Sequence, residues 1–178
     1  MKKVVRKLYF AWQIEEERAF LEDMAKQGWF LDKVRLGKYE FYQSEPKDVI
    51  YDMDFQIVNK KTIDDYLSLT EDWELADNYG AWFYFYKERV AGESESLYSD
   101  NDSKRQMFGR LLAFLGIVGL PLYINIFVIF PSQAPEDMQP FTFYYFFRII
   151  TVIFIILHGL SVLHVVHSYR KYRNHISQ

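Results

Sequence analysis

The sequence predicts an α+β fold: a cytoplasmic domain of two tandem βαββ units with an antiparallel sheet, followed by a two-helix transmembrane hairpin. Three observations predict it. Residues 111–130, LLAFLGIVGLPLYINIFVIF, carry no charge, and residues 143–166 carry only Arg148. At about 1.5 Å of rise per residue, about twenty residues cross a hydrocarbon core of roughly 30 Å. Only twelve residues lie between the two stretches, Pro131, Pro135 and Pro140 among them, which makes a tight hairpin. Ahead of them, one order of strand-like and helix-like patterns occurs twice.

A first strand is expected where Leu8, Phe10 and Trp12 alternate with Lys7, Tyr9 and Ala11. Residues 15–27 read as a helix. Acids fill its first turn, Phe20, Leu21, Met24 and Ala25 follow at helical spacing, and Gly28 stops it. Residues 29–36 and 39–43 form a strand pair around Gly37-Lys38, and residues 44–48 a loop. Next, Val49, Tyr51, Met53, Phe55 and Ile57 alternate with Ile50, Asp52, Asp54 and Gln56, the pattern of a half-buried strand with a solvated face. Thr62 and Asp65 have the spacing of a capping box that opens a second helix to about Asp72. Residues 73–79 and 81–87, around Gly80, complete the set.

A shift of 44 positions superposes Trp29 on Trp73, Leu31 on Leu75, Tyr39 on Phe83, Phe41 on Phe85 and Tyr42 on Tyr86. The domain is therefore read as residues 1–89, duplicated as 1–45 and 46–89, with both helices on one face of the sheet. Residues 90–103 are an acidic Ser/Gly linker. It ends in Ser99-Asp100-Asn101-Asp102, a Ser-x-x-Asp cap for a helix that continues into the membrane. Residues 104–170 make the hairpin, with spans at about 111–130 and 146–166, and residues 171–178 a basic tail.

Mean hydropathy is only −0.17 because the charged first part offsets the apolar end. Residues 1–107 hold 16 Lys/Arg against 22 Asp/Glu, and residues 108–178 hold 5 against 2. The acidic balance argues against nucleic-acid binding, which needs surplus cations. With no cysteine there is no disulfide, thiolate nucleophile or cysteine-based zinc site. Lys104, Arg105 and Arg110 precede the first span and Arg170, Lys171 and Arg173 follow the second, while the loop carries Glu136 and Asp137. The positive-inside rule then places both termini in the cytoplasm of a multi-pass protein of the cell membrane. The basic start meets Gln13 and Glu15-Glu16-Glu17 rather than an apolar run, so no signal peptide is expected.

Several residues together resemble a known family. They are the Gly28-Trp29-Phe30-Leu31 turn, the aromatic hairpin around Tyr39 and Phe41, and Trp82-Phe83-Tyr84-Phe85 ahead of a charged linker. Ser99-Asp100-Asn101-Asp102-Ser103-Lys104 before a span completes the set. The family is domain-of-unknown-function family 2812, small bacterial membrane proteins mainly of Gram-positive organisms, and the resemblance covers nearly the whole chain. Its members are often encoded beside PadR-type transcription regulators, which implies a regulatory role. It supplies no catalytic residues. Tandem βαββ modules also resemble, in architecture alone, the GyrI-like ligand-binding domains that hold small molecules between repeats.

The aromatic excess, 19% of the chain, is what invites a ligand or partner. Trp12, Trp29, Trp73, Trp82, Tyr84 and Tyr86 fall in or beside expected strands, with Glu40, Asp52 and Asp54 as an acidic rim. Rings of this size also serve a small domain as core, since each buries 150–250 Å². Asp52 and Asp54 have the spacing of a carboxylate pair, and equally that of a solvated strand face. His164 and His167 stand one turn apart but lack a third ligand, so no metal or other cofactor is expected. Asn125 and His158 are polar groups within the spans and are expected to pair with the facing helix. Arg148, near the outer end, can reach water.

The expectation is a non-enzymatic, membrane-anchored regulatory module that binds a partner protein, a PadR-type regulator by the resemblance. The exposed aromatic face and acidic rim would do the binding, with the lipid bilayer as second partner and homo-oligomers through the spans left open. A small-molecule sensor with an aromatic groove between repeats, suited to an amphipathic or cationic ligand, is the alternative.

Overall fold

The computed structural model describes residues 1–70, 72–98, 100–129 and 143–174. The chain runs β1 (Lys2–Val5), α1 (Ile14–Lys26), β2 (Trp29–Arg35), β3 (Lys38–Gln43), β4 (Val49–Phe55), α2 (Ile63–Ser68), β5 (Glu74–Tyr79) and β6 (Trp82–Glu88). Then come α3 (Asn101–Ile124), a π turn (Asn125–Ile129) and α4 (Phe143–Asn174). The strands form two antiparallel three-stranded sheets rather than one, ordered β1-β3-β2 and β4-β6-β5. Each has a register slip in its last-ranked strand, between Leu31 and Lys33 in β2 and between Leu75 and Asp77 in β5. Such bulges bend and twist a strand. The two bulged strands adjoin without forming a ladder, and the Asp77 carboxylate accepts the Val34 backbone N–H at 2.7 Å.

The first strand differs from the one expected. Lys2 to Val5 pair with Tyr42 to Tyr39, and residues 6–13 form a loop. With β1 on one side of β3 and β2 on the other, no β3 edge remains for the Leu8–Trp12 alternation. α1 buries Ile14, Glu17, Leu21, Met24 and Ala25, a stripe at helical spacing, against β2 and β4. Gly28 ends it at φ +80°, where an added Cβ would lie 2.7 Å from the Ser44 carbonyl oxygen, so only glycine fits.

β4 is buried at all seven residues, not on one face. Val49, Tyr51, Met53 and Phe55 join the main apolar core, while Asp52 and Asp54 lie beneath Ser96, Leu97, Tyr98 and the head of α3. Residues 96–98 are therefore a packed cover, not a free tether. The helix caps differ as well. The Thr62 side chain makes no cap bond to α2 but accepts the Asn59 backbone N–H, and α2 stops at Ser68. Asp100 N-caps α3, its side chain accepting the Ser103 N–H at 2.6 Å; Ser99 lies outside the described residues.

α3 and α4 pack along each other. Asn101–Val128 and Tyr145–Tyr172 are long and apolar enough to cross a membrane, and only 11% and 6% of their most apolar windows are buried within the protein. Core helices of a soluble domain would be mostly covered. Pro121 lies inside α3, and the helix widens into the π turn four residues later. The expected loop with Glu136 and Asp137 lies outside the described residues.

Candidate functional site

Glu17 is the only acid among the buried residues of α1, and it is 8% exposed. It sits three residues after Ile14 and four before Leu21, on the stripe that faces the sheets. The central strands of both sheets meet it there. Tyr39 of β3 and Tyr84 of β6 each donate a hydroxyl hydrogen bond to its Oε1, the latter at 3.0 Å. Among the described residues no donor reaches Oε2. Burial pushes the Glu17 carboxyl above the usual carboxylate range, and the two hydroxyls partly oppose that shift. Burial and the neighbouring Glu17 charge raise both tyrosines, so they remain donors at neutral pH.

Glu17 lines a cavity of about 250 Å³. Tyr9, Phe10, Tyr39, Tyr79, Trp82 and Tyr84 supply its rings, and the exposed Leu8, Phe10, Leu36 and Tyr79 mark its mouth. The Leu36-Gly37 turn holds the mouth's shape, with Gly37 at φ +66° beside the Lys7 carbonyl. Arg35, also in the wall, is paired with Asp77 at 3.4 Å. A carboxylate in the wall of a ring-lined recess can take a hydrogen bond from a cation while the rings hold its apolar part.

Of the residues singled out from sequence, Trp82 and Tyr84 line this cavity. The others do not converge on it. Trp12 stacks between Phe10 (4.7 Å) and His164 of α4 (5.1 Å). Trp29 lies beneath the Lys3 ammonium at 5.3 Å and Trp73 beneath Lys87 at 5.2 Å. Tyr86 donates to Glu74 in a separate depression of about 170 Å³ with Phe30 and Tyr42. Glu40 pairs with Lys38 along β3.

Asp52 and Asp54 form no rim, being 2% and 5% exposed, and Tyr84 is buried rather than part of an exposed aromatic face. Asp52 accepts the Met53 N–H at 2.9 Å, the Leu97 N–H at 2.8 Å and the Ser96 hydroxyl at 3.3 Å. Burial, only partly offset by these bonds, pushes its carboxyl up. Asp54 takes the Tyr66 hydroxyl, the Tyr98 hydroxyl and the Arg110 guanidinium, each at 2.8 Å. Arg110 also donates to the Phe55 carbonyl at 2.9 Å. These acids clamp the head of α3 to β4. Their alternation in the sequence is that of a wet strand, and nothing local to β4 announces that residues 96–110 fold over it.

Within the apolar helices, His158 contacts the Leu115 carbonyl at 2.9 Å and the Tyr123 hydroxyl at 3.3 Å. An added Cβ at Gly119 would sit 2.4 Å from the His158 ring, so the glycine makes room for it. Asn125 is half-buried at the start of the π turn. Among the described residues no three His, Cys, Asp or Glu side chains converge as metal ligands.

Sequence reasoning missed Glu17, Tyr9, Tyr39 and Tyr79 as cavity residues. One signal for Glu17 was available: an acid on the apolar stripe of an otherwise amphipathic helix. The tyrosines gave none, since a core ring and a cavity ring look alike in sequence.

No curated protein and no solved structure matches the chain. Residues 13–120, more than half of the 178, match the family model described as "Protein of unknown function (DUF2812)", a span that runs from α1 into the first apolar helix, and the chain belongs to that family.

Proposed function

We propose that this chain is a membrane-anchored sensory module whose α/β domain binds a small cationic, ring-bearing or amphipathic compound in the cavity over Glu17. One observation carries the reading: a buried carboxylate with both tyrosine donors on one oxygen stands in a ring-lined cavity. A buried charge is costly unless paired, and a cation supplies the missing partner while stacking on Trp82 or Tyr79. At about 250 Å³ the cavity is smaller than the 300–1,000 Å³ typical of drug-sized ligands. It fits a fragment-sized compound or one end of a longer one.

The output is a regulatory contact with a partner protein, for which the family resemblance implies a PadR-type transcription regulator, and the module is not an enzyme. An aromatic path supports such coupling. Trp82 of the cavity packs on Phe55 at 5.3 Å, and Phe55 on Phe114 of α3 at 5.4 Å. α3 and α4 are read as a transmembrane hairpin with both chain ends on the cytoplasmic side, which the flanking cations support. The two βαββ units are read as a duplication. Identical strand orders and bulges 44 positions apart support it.

The test is calorimetry on the full chain in nanodiscs with benzyltrimethylammonium and phenethylamine, against phenethyl alcohol and phenylacetate. Heat from the two cations, lost in Glu17→Gln, is expected. Equal binding of the neutral or anionic compounds, or unchanged cation binding by Glu17→Gln, refutes the reading.

A further inference from the structure

The cavity lies at one end of the α/β domain, and register fixes which end. Phe55 pairs with Trp82, and Trp82 with Tyr79, so β4 finishes, β6 starts and β5 finishes at the same level. That level is where the domain meets the apolar helices. Phe55 packs on Phe114, one turn past Arg110, and Trp12 stacks on His164, six residues before Arg170. At about 1.5 Å per residue, His164 lies about 9 Å inside the first cation of the α4 end. Trp and Tyr are enriched at membrane–water interfaces, and Trp12 stacks on the helix close to such a cationic end.

Exposed apolar side chains gather at this end. Leu36 is 78% exposed, Ile57 68% and Leu8 57%, joined by Phe10 and Tyr79; the comparably exposed Met1, Val4 and Leu69 are scattered elsewhere on the domain and do not border the cavity. Leu8, Phe10, Leu36 and Tyr79 also mark the cavity mouth. Arg6 and Lys7 precede Leu8, and Lys60 and Lys61 follow Ile57, which places cations beside the apolar tips. Apolar tips with basic neighbours, continuous with membrane-spanning helices, are the composition of a surface seated among anionic headgroups.

We infer that this end of the domain sits in the inner headgroup layer, so that the cavity opens onto the bilayer. Its ligand is then an amphiphile with a cationic head, drawn from the membrane. The head reaches Glu17 and the tail leaves between Leu8, Phe10 and Leu36. The inference rests on the proposed membrane anchoring and ligand binding, and the experiment separates its failure from theirs.

The chain has no cysteine, so single nitroxide labels can be placed without background. Leu8→Cys and Leu36→Cys report the mouth, Glu45→Cys the opposite end of the domain, and Leu120→Cys the first span. In vesicles of phosphatidylcholine and phosphatidylglycerol, the two mouth labels and Leu120 are expected to be relaxed more by oxygen than by an aqueous nickel chelate. Glu45 is expected to show the reverse. Mouth labels that behave like Glu45 while Leu120 remains in lipid overturn the inference and leave the anchoring intact. A Leu120 label in water overturns both.

The source of the ligand is tested with a long-chain amine carrying a photoreactive diazirine midway along its tail. Crosslinks to the peptides holding Leu8, Phe10 and Leu36, lost in Glu17→Gln and absent with the matching alcohol, are expected. Crosslinks confined to α3 and α4, or equal labelling by a short water-soluble diazirine amine, overturn a bilayer source. In the second case dependence on Glu17 still upholds the cavity as a cation site.

Discussion

Replacing Asp54 with alanine tests whether the acidic face of β4 is a structural clamp. The carboxylate accepts from Tyr66, Tyr98 and Arg110, each at 2.8 Å, and its side chain is 7% exposed. All three bonds end on the carboxylate and are charge-assisted; at the low end of their range, about 1.5 kcal/mol each, they give about 4–5 kcal/mol. Arg110 is 34% exposed and keeps its bond to the Phe55 carbonyl, so part of its charge rehydrates after the substitution. The expected loss is therefore about 3 kcal/mol, at the lower edge for breaking a buried pair. For a chain of this length that is a fall in Tm of about 6–12 °C. Tryptophan fluorescence during heating of the full chain in nanodiscs reads it. The exposed acid Asp64, treated the same way, should change stability by no more than about 0.5 kcal/mol. An Asp54→Ala shift no larger than that of Asp64→Ala refutes the clamp and restores the solvated strand face read from the sequence.

Gly119→Ala forces a Cβ into the His158 ring and should destabilise the helix pair by about 1–3 kcal/mol; in a His158→Ala background the same change should be nearly neutral in the same melt. Gly28→Ala meets both a positive φ and the Ser44 carbonyl at 2.7 Å, whereas at Gly80 (φ +63°) nothing lies within 4 Å. Gly80→Ala should then show the left-handed penalty alone, about 1–2 kcal/mol, and Gly28→Ala clearly more. Burial raises the folded carboxyl of Glu17 above its ordinary 4.5, so the folded state holds that proton more tightly than the unfolded one. Stability from this group is full below 4.5 and is lost as pH rises through the raised folded value. Melts of wild type and Glu17→Gln across that window should diverge, with wild type losing ground as pH rises, while cation binding by wild type strengthens over the same range.

The sequence made some elements legible because their signals are local. α1 has its acidic first turn, its apolar stripe and Gly28; the hairpins have Gly37 and Gly80 at positive φ. A β1 of four residues carries too little pattern to outweigh the alternation at Leu8 to Trp12, and only the occupied edges of β3 decide between them. The polar face of β4 misled for a related reason. Alternation reports that one face differs from the other, not that the polar face is wet, and Tyr98 and Arg110 reach Asp54 from 44 and 56 positions away.

By itself the sequence showed where composition changes along the chain: two stretches long and apolar enough to cross a membrane, and before them a charged, ring-rich part in which a pattern recurs 44 positions on. Composition and short-range periodicity suffice there, because bilayer thickness and the geometry of helices and strands act on neighbouring residues. Only the tertiary structure decided which rings line a cavity, which acids are buried and which end of the domain meets the apolar helices. Glu17, Tyr39 and Tyr84 come together from one helix and two sheets. The packing of those elements, not the order of residues along any one of them, turns an acid on a helical stripe into a buried carboxylate with one oxygen to spare.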